Sequence, residues 1–172
     1  MKFLNRPLSP ERLTLLLSLA LLVFYNVPFW REMLRILGPL DGHGVKVLTE
    51  SFLLLLAFLN FVLALFAWPY LLKPVFSVLL VSTAFVTYFM NQYGVMIDTH
   101  MVQNAIQTDG REVRDLLTVK MALFVLVLGA LPVWWLWKTP IRYRAPLKEV
   151  GVRLLTVLLS AGVLFGVAMA GY

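Results

Sequence analysis

Five apolar runs, each close to the length of a bilayer-crossing helix and almost free of charge, constrain this chain more than anything else in it. They lie at about 13–29, 52–68, 74–91, 119–137 and 152–170. At 1.5 Å rise per residue, a helix of about 20 residues crosses the ~30 Å hydrocarbon core of a bilayer. The reading is therefore an all-α membrane protein: five transmembrane helices in a single domain over 1–172, with short amphipathic helices outside the membrane. Composition supports it, because 60% of the residues are hydrophobic and only 14% are charged, and a soluble domain carries nearly twice that charge. There is no cysteine, which excludes a disulfide framework and a thiolate metal site. The net charge of +6 does not point to nucleic acid, since the basic residues sit at helix ends rather than in one stripe. Membrane topology accounts for them better.

The chain opens on a short basic lead with Lys2, Arg6 and Arg12. A cleaved signal peptide starts the same way, but no A-x-A-like site follows the first run, so an uncleaved first span is expected. Tyr25, Phe29 and Trp30 then mark its far interface. Residues 31–51 read as an interfacial loop broken by Gly38-Pro39 and Gly42-His43-Gly44. The brief link at 69–73 makes the second and third spans a hairpin, and Pro74 fits the first turn of the third. Trp134, Trp135 and Trp137 close the fourth span as an aromatic belt. A basic loop with Lys138, Arg142, Arg144, Lys148 and Arg153 leads into the fifth, where it contacts anionic lipid heads.

Five spans place the N-terminus, the 2–3 link and the 4–5 loop on one side. That side carries nine Lys and Arg against two Glu; the opposite side carries six Lys and Arg against seven Asp and Glu. The positive-inside rule puts the N-terminus in the cytoplasm, with 92–118 and the C-terminus on the outer side of the membrane. No acidic or basic residue is read deep in a span, which disfavours a small ion-coupled transporter or channel subunit. Asn60, Ser77, Ser82, Thr83 and Thr87 are read as interhelical hydrogen-bonding groups, and Gly162-x-x-x-Gly166-x-x-x-Ala170 as a packing face within the bundle.

The polar insert YGVMIDTHMVQNAIQTDGREVRDLLT, from Tyr93 to Thr118, holds four of the nine acidic residues. On a helix at about 100° per residue, Val102, Ile106, Val113 and Leu117 share one side, while Asn104, Thr108 and Glu112 form a stripe roughly opposite. Two readings stand. Asp109-x-x-Glu112 matches a capping box beside Gly110, which starts a new helix there. Alternatively Glu112 meets a headgroup ammonium while Asn104 and Thr108 hydrogen-bond phosphate or glycerol oxygens. His43, His100 and Asp98 lack the spacing of a metal motif, and no Ser or Thr has an evident base beside it. Neither a catalytic residue nor a metal ligand is assigned.

The order Tyr93-Gly94, Met96, Asp98, Met101, Gln103-Asn104, Thr108-Asp109, Glu112, Leu116-Leu117-Thr118, with Leu72-Lys73-Pro74 before the third span, resembles the lipid A phosphoethanolamine transferases. That family includes the mobile colistin-resistance enzymes. The resemblance implies a membrane domain that holds phosphatidylethanolamine and lipid A beside a periplasmic catalytic domain. It also implies that Asn104, Thr108 and Glu112 bind the phosphoethanolamine donor. The family's zinc ligands and phosphorylatable threonine have no counterpart in these 172 residues. The expectation is a chain that continues beyond Tyr172, with no cofactor of its own in this portion and no transfer by this portion alone. A non-enzymatic lipid-binding or assembly protein complete at Tyr172 is the competing reading.

Overall fold

The computed structural model describes residues 7–93 and 118–170, leaving aside the side chains of Tyr93, Pro146 and Ala170. Within them the chain builds α1 (Pro10–Ala20, extended by a π-helical turn over Leu21–Tyr25), α2 (Val27–Leu37), α3 (Gly42–Leu65) and α4 (Leu72–Tyr93). These are followed by α5 (Val119–Lys138, with a π-helical turn at Leu126–Ala130) and α6 (Pro146–Ala170). Four of these helices are long and apolar enough to cross a membrane, and a fifth crossing is made if α1 and α2 count as one bent span.

The first apolar run divides rather than crossing as one helix. Pro28 has no N–H to give the carbonyl four residues back, and its ring disfavours helical backbone just before it. Two side chains serve the carbonyls freed at the end of α1: Asn26 Nδ2 donates to Leu21 O at 2.9 Å and Trp30 Nε1 to Leu22 O at 2.7 Å. With those groups satisfied the axis turns by 61° into α2, the expected origin of a sharp kink. Gly38 ends α2 with φ of 68°, a left-handed conformation that costs glycine little. Asp41 Oδ1 then accepts from Gly44 N at 2.7 Å and caps α3. The stretch expected as an interfacial loop over 31–51 is thus mostly helix, because capping and kink chemistry outweigh its glycines.

Two four-residue stripes make the core. Leu13, Leu17, Leu21 and Tyr25 on α1 face Leu72, Phe76, Leu80 and Ala84 on α4, and Leu63, Ala67 and Leu136 close the cluster. Stripes of this i, i+4 period turn one apolar side of each helix toward a shared core. Tyr25 is therefore a core residue, 4% exposed, and not the interface marker its aromatic character suggested. Its hydroxyl donates to the Leu128 carbonyl in the π turn of α5, where the wider helical ladder leaves carbonyls less firmly engaged. Outside this core the helices expose Leu16, Phe24, Phe58, Leu158, Leu159 and Phe165, as a surface solvated by lipid does.

Asn60 Nδ2 donates to Ser160 Oγ at 3.0 Å, joining α3 to α6 near mid-span. The Thr87 hydroxyl joins α4 to the Tyr25 carbonyl at 2.9 Å, and Ser77 Oγ accepts from Trp137 Nε1 at 2.9 Å. These polar groups are interhelical ties, as expected. The glycines of α6 are not: a Cβ at Gly162 or Gly166 would meet nothing within 4 Å, so that face turns away from the described bundle. Gly129 is the glycine that lets helices approach, with Ala84 Cβ 3.6 Å from where its own Cβ would stand.

Arg153 also differs from its reading as a headgroup contact. It lies on α6, 9% exposed, where its guanidinium donates to Ala67 O at 2.6 Å and meets Glu149 Oε1 at 3.3 Å. It also covers the Trp68 ring at 4.1 Å. Carboxylate, carbonyl and aromatic face replace much of the water of this buried cation, while its Nη1 has no hydrogen-bond partner among the described residues.

Candidate functional site

Helices α1, α4, α5 and α6 begin or end on two opposite faces. The face on which α1 starts carries the α3–α4 and α5–α6 links; the far face carries α2, the start of α3, the end of α4 and the start of α5. Asn104, Thr108 and Glu112, the residues read as the donor-lipid site, lie outside the described residues, as do Asp98 and His100. What is described is the frame that holds the insert at both ends.

Thr118 works in two directions. Its hydroxyl accepts from Met121 N at 3.1 Å, capping α5, and lies 2.9 Å from the Tyr88 hydroxyl on α4. Two residues on, Lys120 Nζ donates to Gln92 Oε1 at 2.8 Å. Tyr88 also packs edge-on against Phe124, ring centroids 5.7 Å apart. The last turn of α4 and the first of α5 are thereby tied by two polar bridges and an aromatic contact. The insert consequently leaves and re-enters the bundle at neighbouring, fixed points.

On the same face an open cleft of ≈ 510 Å³ lies between α2, α3 and α6, walled by Phe29, Leu54, Leu55 and Val167 with Glu50 and Ser51 among them. A second space of ≈ 300 Å³ adjoins it through Phe29 and Val47 and runs along Met33, Ile36 and Leu37, with Glu32 beside it. Apolar walls of this kind take hydrocarbon chains, and a carboxylate among them attracts a cation at the mouth. Lys46 Nζ is 3.6 Å from Glu50 Oε1, too long for a hydrogen bond, so the carboxylate keeps acceptor capacity. Glu32 is engaged by Arg35 on the exposed side of α2, and that guanidinium holds its carboxyl below the ordinary value. The sequence reading did not single out Glu50; its signal was an acidic residue just before an apolar run on the sparsely charged side.

The described residues bring no three His, Asp or Glu side chains together and so do not fit a zinc site. The hydroxyls of Ser18, Ser77, Thr83 and Thr87 each donate to a carbonyl four residues earlier, the usual local bond of such side chains in helices. None is paired with a base.

A polytopic α-helical domain with an open, mostly apolar cleft on one face is the class of protein that fold and site define. The chain belongs to the phosphoethanolamine transferase EptA/EptB family, whose sequence model matches residues 55–172, and it corresponds to the N-terminal domain of those enzymes. It is 35% identical over 128 residues to phosphatidylethanolamine transferase Mcr-1 of Escherichia coli, covering 74% of this chain and 24% of that protein. It is 33% identical over 178 residues to phosphoethanolamine transferase EptA of Escherichia coli K12, covering 98% of this chain and 32% of that one. The solved structure of the lipooligosaccharide phosphoethanolamine transferase EptA from Neisseria meningitidis superposes with a TM-score of 0.87 at 27% identity, over 97% of this chain and 31% of that one. The chain thus spans a third or less of the length of these relatives.

Proposed function

We propose that this domain supplies the donor-lipid site and the docking surface for phosphoethanolamine transfer to lipid A. The observation that carries the reading is the far-face cleft, apolar along its walls and bearing the Glu50 carboxylate, on the face where the ends of the 94–117 insert are tied. Phosphatidylethanolamine has the matching parts: two acyl chains, a phosphodiester and a primary ammonium. In the proposed arrangement Glu112 receives the ammonium, and Asn104 and Thr108 donate to phosphate oxygens. Charge-assisted bonds of this kind strengthen where water is partly excluded.

The far face is proposed to be periplasmic in the bacterial inner membrane, on the Lys and Arg bias of the loops. The zinc and the phosphorylatable threonine that the resemblance implies are proposed for a catalytic domain in the part of the relatives' length that this chain does not span. That domain and lipid A are the partners proposed to rest on this face. A phosphoethanolamine added to a lipid A phosphate brings a primary ammonium that reduces the net negative charge there, which weakens binding of cationic peptides such as colistin.

The test is lipid binding by the purified domain, comparing ethanolamine with choline headgroups of the same chain length. Asn104→Ala, Glu112→Gln and Glu50→Gln are each expected to lower the preference for ethanolamine. A preference unchanged in Asn104→Ala and Glu112→Gln removes the insert from the site, and one unchanged in Glu50→Gln removes the cleft.

A further inference from the structure

The face opposite the donor-lipid cleft holds a second, more polar space of ≈ 410 Å³. It forms where the residues just before α1 meet the link between α5 and α6. Leu8 N donates to Pro140 O at 3.0 Å and Arg142 N to Leu8 O at 3.0 Å, a short parallel bridge that clamps the two segments together. Arg12, Arg142 and Arg144 line the space with Ser9, Glu11 and Tyr143. Three guanidiniums thus face one carboxylate.

These groups are not equally engaged. Arg144 is committed: its Nη2 and Nη1 donate to the two Glu11 oxygens at 2.5 and 3.2 Å, and its backbone N–H donates to Glu149 Oε2 at 2.9 Å. Arg12 and Arg142 have no ion pair among the described residues, and the Tyr143 hydroxyl is shut from solvent without a hydrogen-bond partner there. Burial pushes the Tyr143 phenol above its ordinary value, keeping it a donor through the neutral range. The charges that phenol feels are the buried Arg153 and Glu149, whereas Arg12 and Arg142 line the open cleft with their fork donors free for an acceptor.

We propose that this cleft binds the phosphate of an anionic glycerophospholipid in the leaflet opposite the donor site, with Arg12 and Arg142 as its donors. Its depth selects a lipid over a free anion. The cleft opens where α1 starts at Pro10, α5 ends at Lys138 and α6 starts at Pro146, the headgroup level of a bundle whose α5 exposes Trp134 and Trp137. Two guanidinium forks match the two non-bridging oxygens of a phosphodiester. The net surplus of positive charge left after Glu11 is answered by an anionic headgroup and not by a zwitterionic one. The site is independent of the donor-lipid reading, using other residues on the other face.

Native mass spectrometry of the detergent-purified domain tests it, titrating phosphatidylglycerol against phosphatidylcholine of equal chain length, with inorganic phosphate as competitor. Wild type is expected to prefer phosphatidylglycerol by about tenfold or more, the weight of a charge-assisted bond or two. Arg12→Gln with Arg142→Gln abolishes that preference. Lys148→Gln, on the same face but outside the cleft, leaves it in place. Equal loss in Lys148→Gln, or full retention in the double variant, overturns the site. Displacement of the lipid by millimolar inorganic phosphate overturns the lipid assignment. Should the double Gln variant fail to fold, Arg12→Lys with Arg142→Lys decides. It keeps the charge but loses the forks, so the preference falls several-fold without vanishing; an unchanged preference counts against the geometry. Donor-lipid preference stays as in wild type in all these variants.

Discussion

Removing Arg153 alone should harm the domain more than removing Arg153 together with the charge on Glu149. The two side chains are each 9% exposed and meet at 3.3 Å. Arg153→Met takes away the donor to Ala67 O and the cation over Trp68, and leaves Glu149 with the Arg144 backbone N–H as its only remaining hydrogen bond among the described residues. Breaking a buried pair costs about 3–5 kcal/mol, and the Arg144 guanidinium, 4.0 Å from Glu149 Oε2, holds the cost to the lower end of that range. Glu149→Gln added to that background removes the charge while its amide oxygen still accepts from Arg144 N–H. What remains lost is the carbonyl bond and the cation–π contact, about 2 kcal/mol for a desolvated ring contact. The second substitution should therefore restore roughly 1 kcal/mol, the difference between those costs. Unfolding of the four proteins in one detergent, followed by circular dichroism over a denaturant series, closes the double-mutant cycle. If Glu149→Gln further destabilises Arg153→Met, the pair is not energetically coupled and the burial argument fails.

Other expectations follow from single contacts. Lys73→Met loses donors to Trp137 O at 3.1 Å and Thr139 O at 3.2 Å, at the end of α5 where the helix dipole favours a cation; a cost of about 1 kcal/mol is expected in the same unfolding assay. Gly129→Leu should cost about 1–3 kcal/mol by overpacking against Val125 and Ala84. Gly162→Leu, with open space around its Cβ, should leave stability unchanged or raise it by up to about 1 kcal/mol through helix propensity. Ser160→Ala removes the partner of Asn60 and should cost about 0.6 kcal/mol, the typical size of an interhelical hydrogen bond in a membrane.

Where sequence and structure part, the cause is a partner distant along the chain. The first run reads as one span over 13–29, yet the helix breaks ahead of Pro28, a break made tolerable because Trp30 reaches back to Leu22 O. Glu149 and Arg153 sit four apart on a helix, and hydropathy reads them as loop charge; Ala67 and Trp68, far away in sequence, make them a buried centre. Small residues spaced by four on α6 match a packing motif, yet α3 meets that helix through Asn60 and Ser160 instead. The candidate donor residues were legible by resemblance and by their helical stripe. Glu50 was not, since nothing local separates it from an ordinary surface carboxylate.

By itself the sequence determined the membrane class, the number of apolar runs, the unequal sharing of positive charge and the family. Each of these is a sum over local composition or a match in register, and needs no knowledge of which helices touch. Tertiary structure alone decided which charges are buried, where the first run bends, which glycine is crowded and which clefts open on the two faces. Those depend on the partner each hydrogen-bonding group or ring finds across the bundle, and a helix does not choose that partner alone.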